Sequence, residues 1–369
     1  MNIDFANLTY QHELYKDEIE KAILKVARNC NFIMGTEISE FETELEKYID
    51  VKYAVSCSSG TDAILMALMA IDIKPGDEII TTPFTFIATS EMIALLGAKP
   101  VFVDIDEKTY NISASKIEAA ITPKTKAILP VSLYGQPADM DEISKIAKKH
   151  NLKVIVDGAQ SFGATFNDVK DLALGDIATT SFFPAKPLGC YGDGGAVFTN
   201  DENLAVKLKS LRLHGQSKRY HHQYIGIGGR LDTIQAAVLL VKLRHYKKDL
   251  SLRQEVASKY TDVLQDKNVI LPYIDNRAQS AWAQYSIRIK NRDEVQLRLK
   301  EAGVPTAVHY PMPLHLQECF KYLGYKSGDF PVAEMISNEI MSLPMNPYLT
   351  KNEINYISEN LLVCKLNEE

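Results

Sequence analysis

The sequence lacks any apolar run long enough to cross a membrane, since a spanning helix needs about 20 consecutive apolar residues. It also lacks an excess of basic charge. The 41 Lys and Arg stand against 47 Asp and Glu, a net charge of −6, which leaves no electrostatic footprint for nucleic acid. Short basic pairs such as Lys247-Lys248 read as solvated helix faces. Cysteine is scarce and scattered, at Cys30, Cys57, Cys190, Cys319 and Cys364. That spacing suits neither a metal site nor an even disulfide framework, and it points to a reducing compartment. The histidines do not cluster with acids. Their one adjacent pair, His221-His222, reads as hydrogen-bonding residues, so no metal is expected. At Met1-Asn-Ile-Asp-Phe5 no basic segment precedes an apolar core, so no signal peptide is expected, and a cytoplasmic location is. Internal repeats and low-complexity linkers are absent too.

What is present is a chain of 369 residues, enough for one large domain and a smaller one. Short β-branched runs alternate with helical stretches. The runs are Ala54–Ser56, Glu78–Thr81, Lys99–Val103, Ala127–Val131, Val154–Val156, Ile177–Phe183 and Ala196–Thr199. Helices are expected at Leu14–Arg28, Asp62–Ala70, Ala88–Leu96, Asp141–His150 and Leu204–His214. This alternation predicts an α/β fold with a mainly parallel sheet covered by helices on both faces. A long helix, Leu231–Lys248, leads out of this part. The large domain is expected over residues 1–250. A small α+β domain is expected over 251–369, with a strand at Ile287–Ile289 and a helix at Glu294–Ala302.

Three patterns carry chemistry. Lys186 lies on a turn between two strand-like runs, in Thr180-Ser-Phe-Phe-Pro-Ala-Lys-Pro-Leu-Gly-Cys-Tyr-Gly-Asp-Gly-Gly-Ala196. Held between rigid elements, with glycines allowing close approach, such an amine suits a Schiff base with a carbonyl compound. Alone it reads as a surface charge. Asp157 stands at the carboxyl end of Val154–Val156, where open α/β sheets bind ligands. Alone it reads as a helix cap. Together, a Schiff-base lysine and an acid that pairs with a pyridinium nitrogen mark pyridoxal 5′-phosphate (PLP), and Gln160 suits a hydrogen bond to the ring oxygen. Ser59, Gly60 and Thr61 open the helix Asp62–Ala70, and a helix start with free N–H groups is a phosphate site. Ser181 offers a second hydroxyl.

These motifs resemble the DegT/DnrJ/StrS family of PLP-dependent sugar aminotransferases, of the aspartate-aminotransferase fold (PLP fold type I). The resemblance runs over essentially the whole chain. It rests on Ser59-Gly-Thr61, Phe84-Thr-Phe-Ile-Ala-Thr89, Asp157-Gly-Ala-Gln160, Ser181…Lys186, Gly192-Asp-Gly-Gly195 and Gly226…Arg230-Leu-Asp-Thr-Ile-Gln-Ala-Ala237. It implies that Lys186 carries PLP, that Asp157 pairs with the ring nitrogen and Gln160 with the ring oxygen, and that Gly60, Thr61 and Ser181 hold the phosphate. Phe86 is implied as the aromatic stacked on the ring, a residue that alone reads equally well as core. The resemblance further implies a homodimer with shared sites, in which His214–Arg230 reaches the neighbouring site. There the chain departs from the family pattern, with Gly228 where an asparagine is usual.

The implied reaction moves an amino group from L-glutamate to a nucleotide-linked keto-sugar. Val131-Ser-Leu-Tyr-Gly-Gln136, Ser181–Gly192, Arg219-Tyr-His-His222, Ala302–Pro311 and Met341-Ser-Leu-Pro-Met345 are similar to members that aminate carbon 3 of UDP-2-acetamido-2-deoxy-3-oxo-glucuronate for surface glycans. Members acting on dTDP-3-oxo-6-deoxyhexoses or UDP-4-oxo-6-deoxy-HexNAc remain alternatives, as does a non-catalytic regulator of the same fold. Arg230, His309 and Tyr310 are the candidate nucleotide-sugar contacts. An enzyme acting on free amino acids is a further alternative, for which Arg288 or Arg298 would hold an α-carboxylate.

Overall fold

The computed structural model of the chain describes every residue except Asn2, Asp266, Asn268 and 367–369, with backbone alone for 363–366. The last three residues of the expected small domain therefore lie outside the described residues. Seven strands form one sheet: β1 (Tyr53–Cys57), β2 (Glu78–Thr81), β3 (Lys99–Phe102), β4 (Thr125–Ile128), β5 (Lys153–Asp157), β6 (Ile177–Ser181) and β7 (Gly195–Thr199). Their order is β1-β7-β6-β5-β4-β2-β3. β7 runs antiparallel to both its neighbours, and the remaining pairs are parallel. The mainly parallel α/β sheet read from the sequence is the sheet observed.

Period-two alternation sends neighbouring side chains to opposite faces, and both faces are apolar because both are covered. Val154 and Val156 enter one core, against Ile38, Phe41 and Leu45 of α2 (Thr36–Ile49). Ile155 enters the other, against Ile64, Met66 and Leu68 of α3 (Gly60–Ala70) and Ile93 of α4 (Ala88–Leu95). α1 (Leu8–Asn29) packs on the long helix α7 (Thr233–Leu264), while α5 (Met140–His150) and α6 (Glu202–Leu211) complete the layers. None of the described helices is long and apolar enough to cross a membrane.

A third core gathers Val256, Tyr260 and Leu264 of α7 with a two-stranded antiparallel pair, β8 (Tyr285–Arg288) and β9 (Ile340–Leu343), and with α8 (Arg292–Glu301) and α10 (Lys351–Leu366). The boundary expected after residue 250 falls inside α7, which continues 16 residues past the helix read from the sequence. A fourth core joins Phe84, Phe102, Val131 and Tyr134 to Leu314, Phe320, Phe330 and Ile336, the last from α9 (Pro331–Glu339). It seats residues 307–340 on the loops that follow β2, β3 and β4, and so carries His309-Tyr310 to the carboxyl edge of the sheet.

Candidate active site

β5 ends at Asp157, β6 ends at Ser181, and α3 begins at Gly60 just beyond β1. Three of the sequence candidates are thus delivered to one edge by strand length alone. Asp157 is 4% exposed. Its Oδ2 accepts from Thr89 Oγ1 at 2.7 Å and its Oδ1 from the Ala159 N–H at 3.2 Å. Burial pushes its pKa above the usual carboxylate range, against the pull of these donors and of Lys186. The carboxyl is therefore held in one orientation by donors and sits in a place that calls for a cationic partner.

Lys186 follows β6 on the loop 182–194. Its side chain is half-buried, and among the described residues its amine makes no hydrogen bond. Burial moves its pKa down, while the Asp157 charge pulls it the other way. That places the amine nearer its neutral, nucleophilic form than a surface lysine.

Gln160 is 5% exposed. The Tyr134 N–H donates to its Oε1 at 2.6 Å, which turns the amide nitrogen outward to the Tyr310 hydroxyl at 3.3 Å. Tyr134 also donates from its own hydroxyl to the His309 carbonyl. One residue therefore orients Gln160 and tethers the 309–310 segment. His309 Nδ1 pairs with Ser342 Oγ at 3.0 Å, and Ser342 Oγ with Ser286 Oγ at 2.9 Å. Burial, with the Lys186 charge nearby, lowers the His309 pKa to about 4, so the imidazole is neutral at neutral pH.

At the start of α3, Ser59 caps the helix by accepting the Asp62 N–H at 3.0 Å. The Gly60 and Thr61 N–H groups have no acceptor among the described residues. A Cβ at Gly60 would lie 2.6 Å from Ser181 Cβ and 3.1 Å from its Oγ, so only glycine lets these two elements close into one cradle. The Phe183 N–H donates to Ser181 Oγ at 3.2 Å. Free N–H groups and two hydroxyls at a helix start are a donor set suited to a phosphate.

Phe86 is 56% exposed, whereas Phe84 is fully buried. Phe86 is therefore not core, and its ring lies 6.2 Å from that of Tyr310. Gly228 is exposed, and a Cβ there would lie 3.1 Å from the His214 imidazole and 3.7 Å from Arg230 Nη2. The Gly229 carbonyl accepts the Ser58 N–H at 3.2 Å, which sets this segment beside the start of α3. Arg230 makes no ion pair or hydrogen bond among the described residues. Arg288 is otherwise engaged, 5% exposed and bonded to Glu339 and Glu107 at 2.8 and 3.2 Å. Arg298 pairs with Glu294 one turn earlier on α8. Thr89 and Tyr134 stand in motifs the sequence offers, but no sequence signal assigns them these contacts.

A family model described as the DegT/DnrJ/EryC1/StrS aminotransferase family matches residues 13–362. The chain is 49% identical over 355 residues to the UDP-2-acetamido-2-deoxy-3-oxo-D-glucuronate aminotransferase of Pseudomonas aeruginosa, covering 96% of this chain and 98% of that protein. It is 46% identical over 364 residues to a pleiotropic regulatory protein of Geobacillus stearothermophilus, covering 98% of each. Among solved structures, NtdA from Bacillus subtilis with bound cofactor PMP superposes with a TM-score of 0.91 at 32% identity, covering 98% of this chain and 85% of that one.

Proposed function

The chain belongs to the DegT/DnrJ/EryC1/StrS aminotransferase family, and from that premise we propose that it is a PLP-dependent aminotransferase that moves an amino group from L-glutamate to carbon 3 of a UDP-linked 3-oxo sugar such as UDP-2-acetamido-2-deoxy-3-oxo-glucuronate. The observation that carries this reading is the convergence, on one sheet edge, of an unpaired half-buried amine, a buried carboxyl in need of a cation and a helix start with free N–H groups. These residues fit PLP by donor chemistry.

Gly60, Thr61 and Ser181 would hold the phosphate, Asp157 the ring nitrogen and Gln160 the ring oxygen, with Phe86 as the platform for one face. When bound, PLP supplies an electron-withdrawing ring that stabilises negative charge next to the transferred amine. Everything else is work for the chain. Thr89 and the Ala159 N–H fix Asp157 from behind, so that its charge is aimed rather than mobile. The Tyr134 N–H fixes the Gln160 amide with its donor toward the site. Phe86 and Tyr310 exclude water. Lys186 Nζ, closer to neutral than a surface amine, takes the α-proton of the amino donor and returns a proton as general acid.

The unpaired Arg230 guanidinium suits a diphosphate or a sugar carboxylate, since both match its planar fork. His309 and Tyr310, tethered through Tyr134, line the sugar side. At Gly228 either the backbone N–H or a water takes the place of the usual amide side chain, or the phosphate loses one neutral hydrogen bond, worth about 1 kcal/mol. The protein works as a cytoplasmic homodimer whose 214–230 segments complete each other's sites. Its product feeds surface glycan synthesis of the lipopolysaccharide O-antigen kind. Residues 1–250 form the PLP-binding domain and 251–369 the smaller one, with α7 as the shared element.

The test is a panel of keto-sugars with L-glutamate: UDP-3-oxo-uronate, dTDP-3-oxo-6-deoxyhexose and UDP-4-oxo-6-deoxy-HexNAc. Preference for the uronate supports the proposal, and preference for the 4-oxo sugar contradicts the carbon-3 assignment. A regulator without activity is the one reading the Geobacillus relative's name favours, and it would turn over none of the three.

A further inference from the structure

Lys242 is a buried cation that transamination leaves without a task. It lies on α7 and is 4% exposed. Among the described residues no carboxylate comes within ion-pair distance of it. Burial lowers its pKa to about 8. Taking an ammonium out of water costs several kcal/mol unless it gains partners, so its partners show what it is there to hold. Among the described residues its hydrogen bond runs from Nζ to the Gly189 carbonyl at 2.8 Å, three residues beyond Lys186. The amine also sits 4.8 Å from the centroid of the Tyr191 ring.

Two turns earlier on the same face of α7, Gln235 grips the same loop. Its Oε1 accepts the Tyr191 N–H at 2.7 Å and its Nε2 donates to the Tyr191 carbonyl at 3.0 Å. A Cβ at Gly192 would lie 2.9 Å from that Nε2, so the helix and the loop are in close contact there.

The loop is closed on itself as well. The Lys186 N–H donates to the Phe183 carbonyl at 2.8 Å, the Cys190 N–H to the Phe182 carbonyl at 2.8 Å, and the Phe182 N–H to the Gly194 carbonyl at 2.7 Å. A Cβ at Gly189 would overlap the carbonyl oxygens of Phe183 and Pro184. The segment that carries Lys186 is thus a closed loop fixed to α7 at Gly189 and Tyr191. Among the described residues, Lys186 itself contributes no side-chain bond that would hold its amine in place.

We propose that Lys242, acting with Gln235, is a positioning residue for Lys186: α7 serves as the back-plate that sets where the reactive amine points, and the Gly189 carbonyl is the point of attachment. The proposal rests on Lys186 being the Schiff-base lysine.

The test uses the PLP-reconstituted protein and three readouts: the rate at which L-glutamate discharges the yellow absorbance band in a single turnover, the apparent KM for glutamate in that step, and the pH titration of the band. Lys242→Met should slow the discharge between about tenfold and a hundredfold, the cost of misplacing a reacting group by around 1 Å. The KM should stay within about twofold, and the titration of the band should shift. Gln235→Leu keeps the cation and frees Tyr191, so it should move the same readouts in the same direction, and it carries the test if the methionine variant does not fold. Discharge rate and titration equal to wild type in a folded variant, whatever its melting temperature, would overturn the proposal and leave Lys242 as packing. Failure of the underlying reading is distinguishable, because then wild type itself shows no band or Lys186→Ala retains one.

Discussion

Asp157→Asn is expected to make the cofactor-free protein more stable and the loaded enzyme nearly inactive. The buried carboxyl has a pKa above its ordinary value in spite of the Thr89 hydroxyl, the Ala159 N–H and the nearby Lys186. Desolvation therefore outweighs all three, and the folded chain disfavours the anion on balance. An acid with a raised folded pKa binds its proton more tightly folded than unfolded. Its penalty is absent below the unfolded pKa and grows as pH rises through the window between the unfolded and folded values. At neutral pH the wild type bears that penalty. Asparagine removes the charge and keeps both contacts, its Oδ1 accepting from Ala159 and its Nδ2 facing a Thr89 oxygen that can accept as readily as donate. The gain should be about 1–3 kcal/mol, a rise of a few degrees at most for a chain of this size. In the role proposed for Asp157, its carboxylate is what would keep the ring nitrogen protonated, and asparagine would not. Losing one aimed electrostatic group costs on the order of a hundred- to a thousandfold. The assay is thermal unfolding of the cofactor-free proteins near pH 7 and below pH 4, beside single-turnover discharge with L-glutamate. An apo variant less stable than wild type near pH 7 would show that desolvation does not dominate at Asp157, and a discharge rate within a few-fold of wild type that its charge does not serve the reaction.

Two further outcomes follow from the site. Tyr134→Phe removes the hydroxyl bond to the His309 carbonyl but keeps the N–H that orients Gln160. It should raise the KM for the keto-sugar several-fold and leave the glutamate half-reaction near wild type, as ping-pong kinetics with each substrate varied will show. His309, a base whose folded pKa of about 4 lies below its unfolded value, contributes stability that is present above about pH 6.5 and is lost as pH falls toward 4. The loss should amount to about 2–3 kcal/mol, and urea melts across that range should show it in wild type and much less in His309→Asn.

Much of the fold was legible because the sheet is buried on both faces. Each of its strands is a short apolar run bounded by polar residues, and the seven expected runs fall on the seven observed strands. The sequence pattern shows α7 only as far as Lys248 for a physical reason: Asp249 and Arg253 interrupt its apolar pattern. Both are buried, Asp249 accepting from Tyr15, Tyr348 and Gln11, and Arg253 donating to the Trp282 carbonyl. Charges solvated by partners more than 25 residues away cannot be told from surface charges in a one-dimensional pattern. The α2 helix carries a plain i, i+3, i+4 spacing at Ile38, Phe41, Leu45 and Ile49 and was open to the same reading as the others.

At the site, Asp157 and the Ser59-Gly-Thr61 turn are legible because they stand at the end of a strand and the start of a helix, and Gln160 and Lys186 because they lie on the short loops that follow β5 and β6. Thr89 and Tyr134 are not, because their roles lie in contacts made 68 and 26 residues away. Tyr134 is further hidden by its backbone, which takes a left-handed φ of 58° that no residue-type preference signals for a tyrosine. Phe86 shows the limit of composition. Only its exposure beside a buried Phe84 separates a ring platform from a core residue. Arg288 shows the converse, since only the structure reveals that Glu107 and Glu339 already occupy it.

Whether Lys186 holds and works PLP is read most directly from the absorbance spectrum of the PLP-reconstituted protein before and after L-glutamate, beside Lys186→Ala. A yellow band is expected in the wild type that glutamate converts to a near-ultraviolet one, and no such conversion in the variant. A reconstituted wild type without the band, or a variant that behaves like the wild type, would contradict that role.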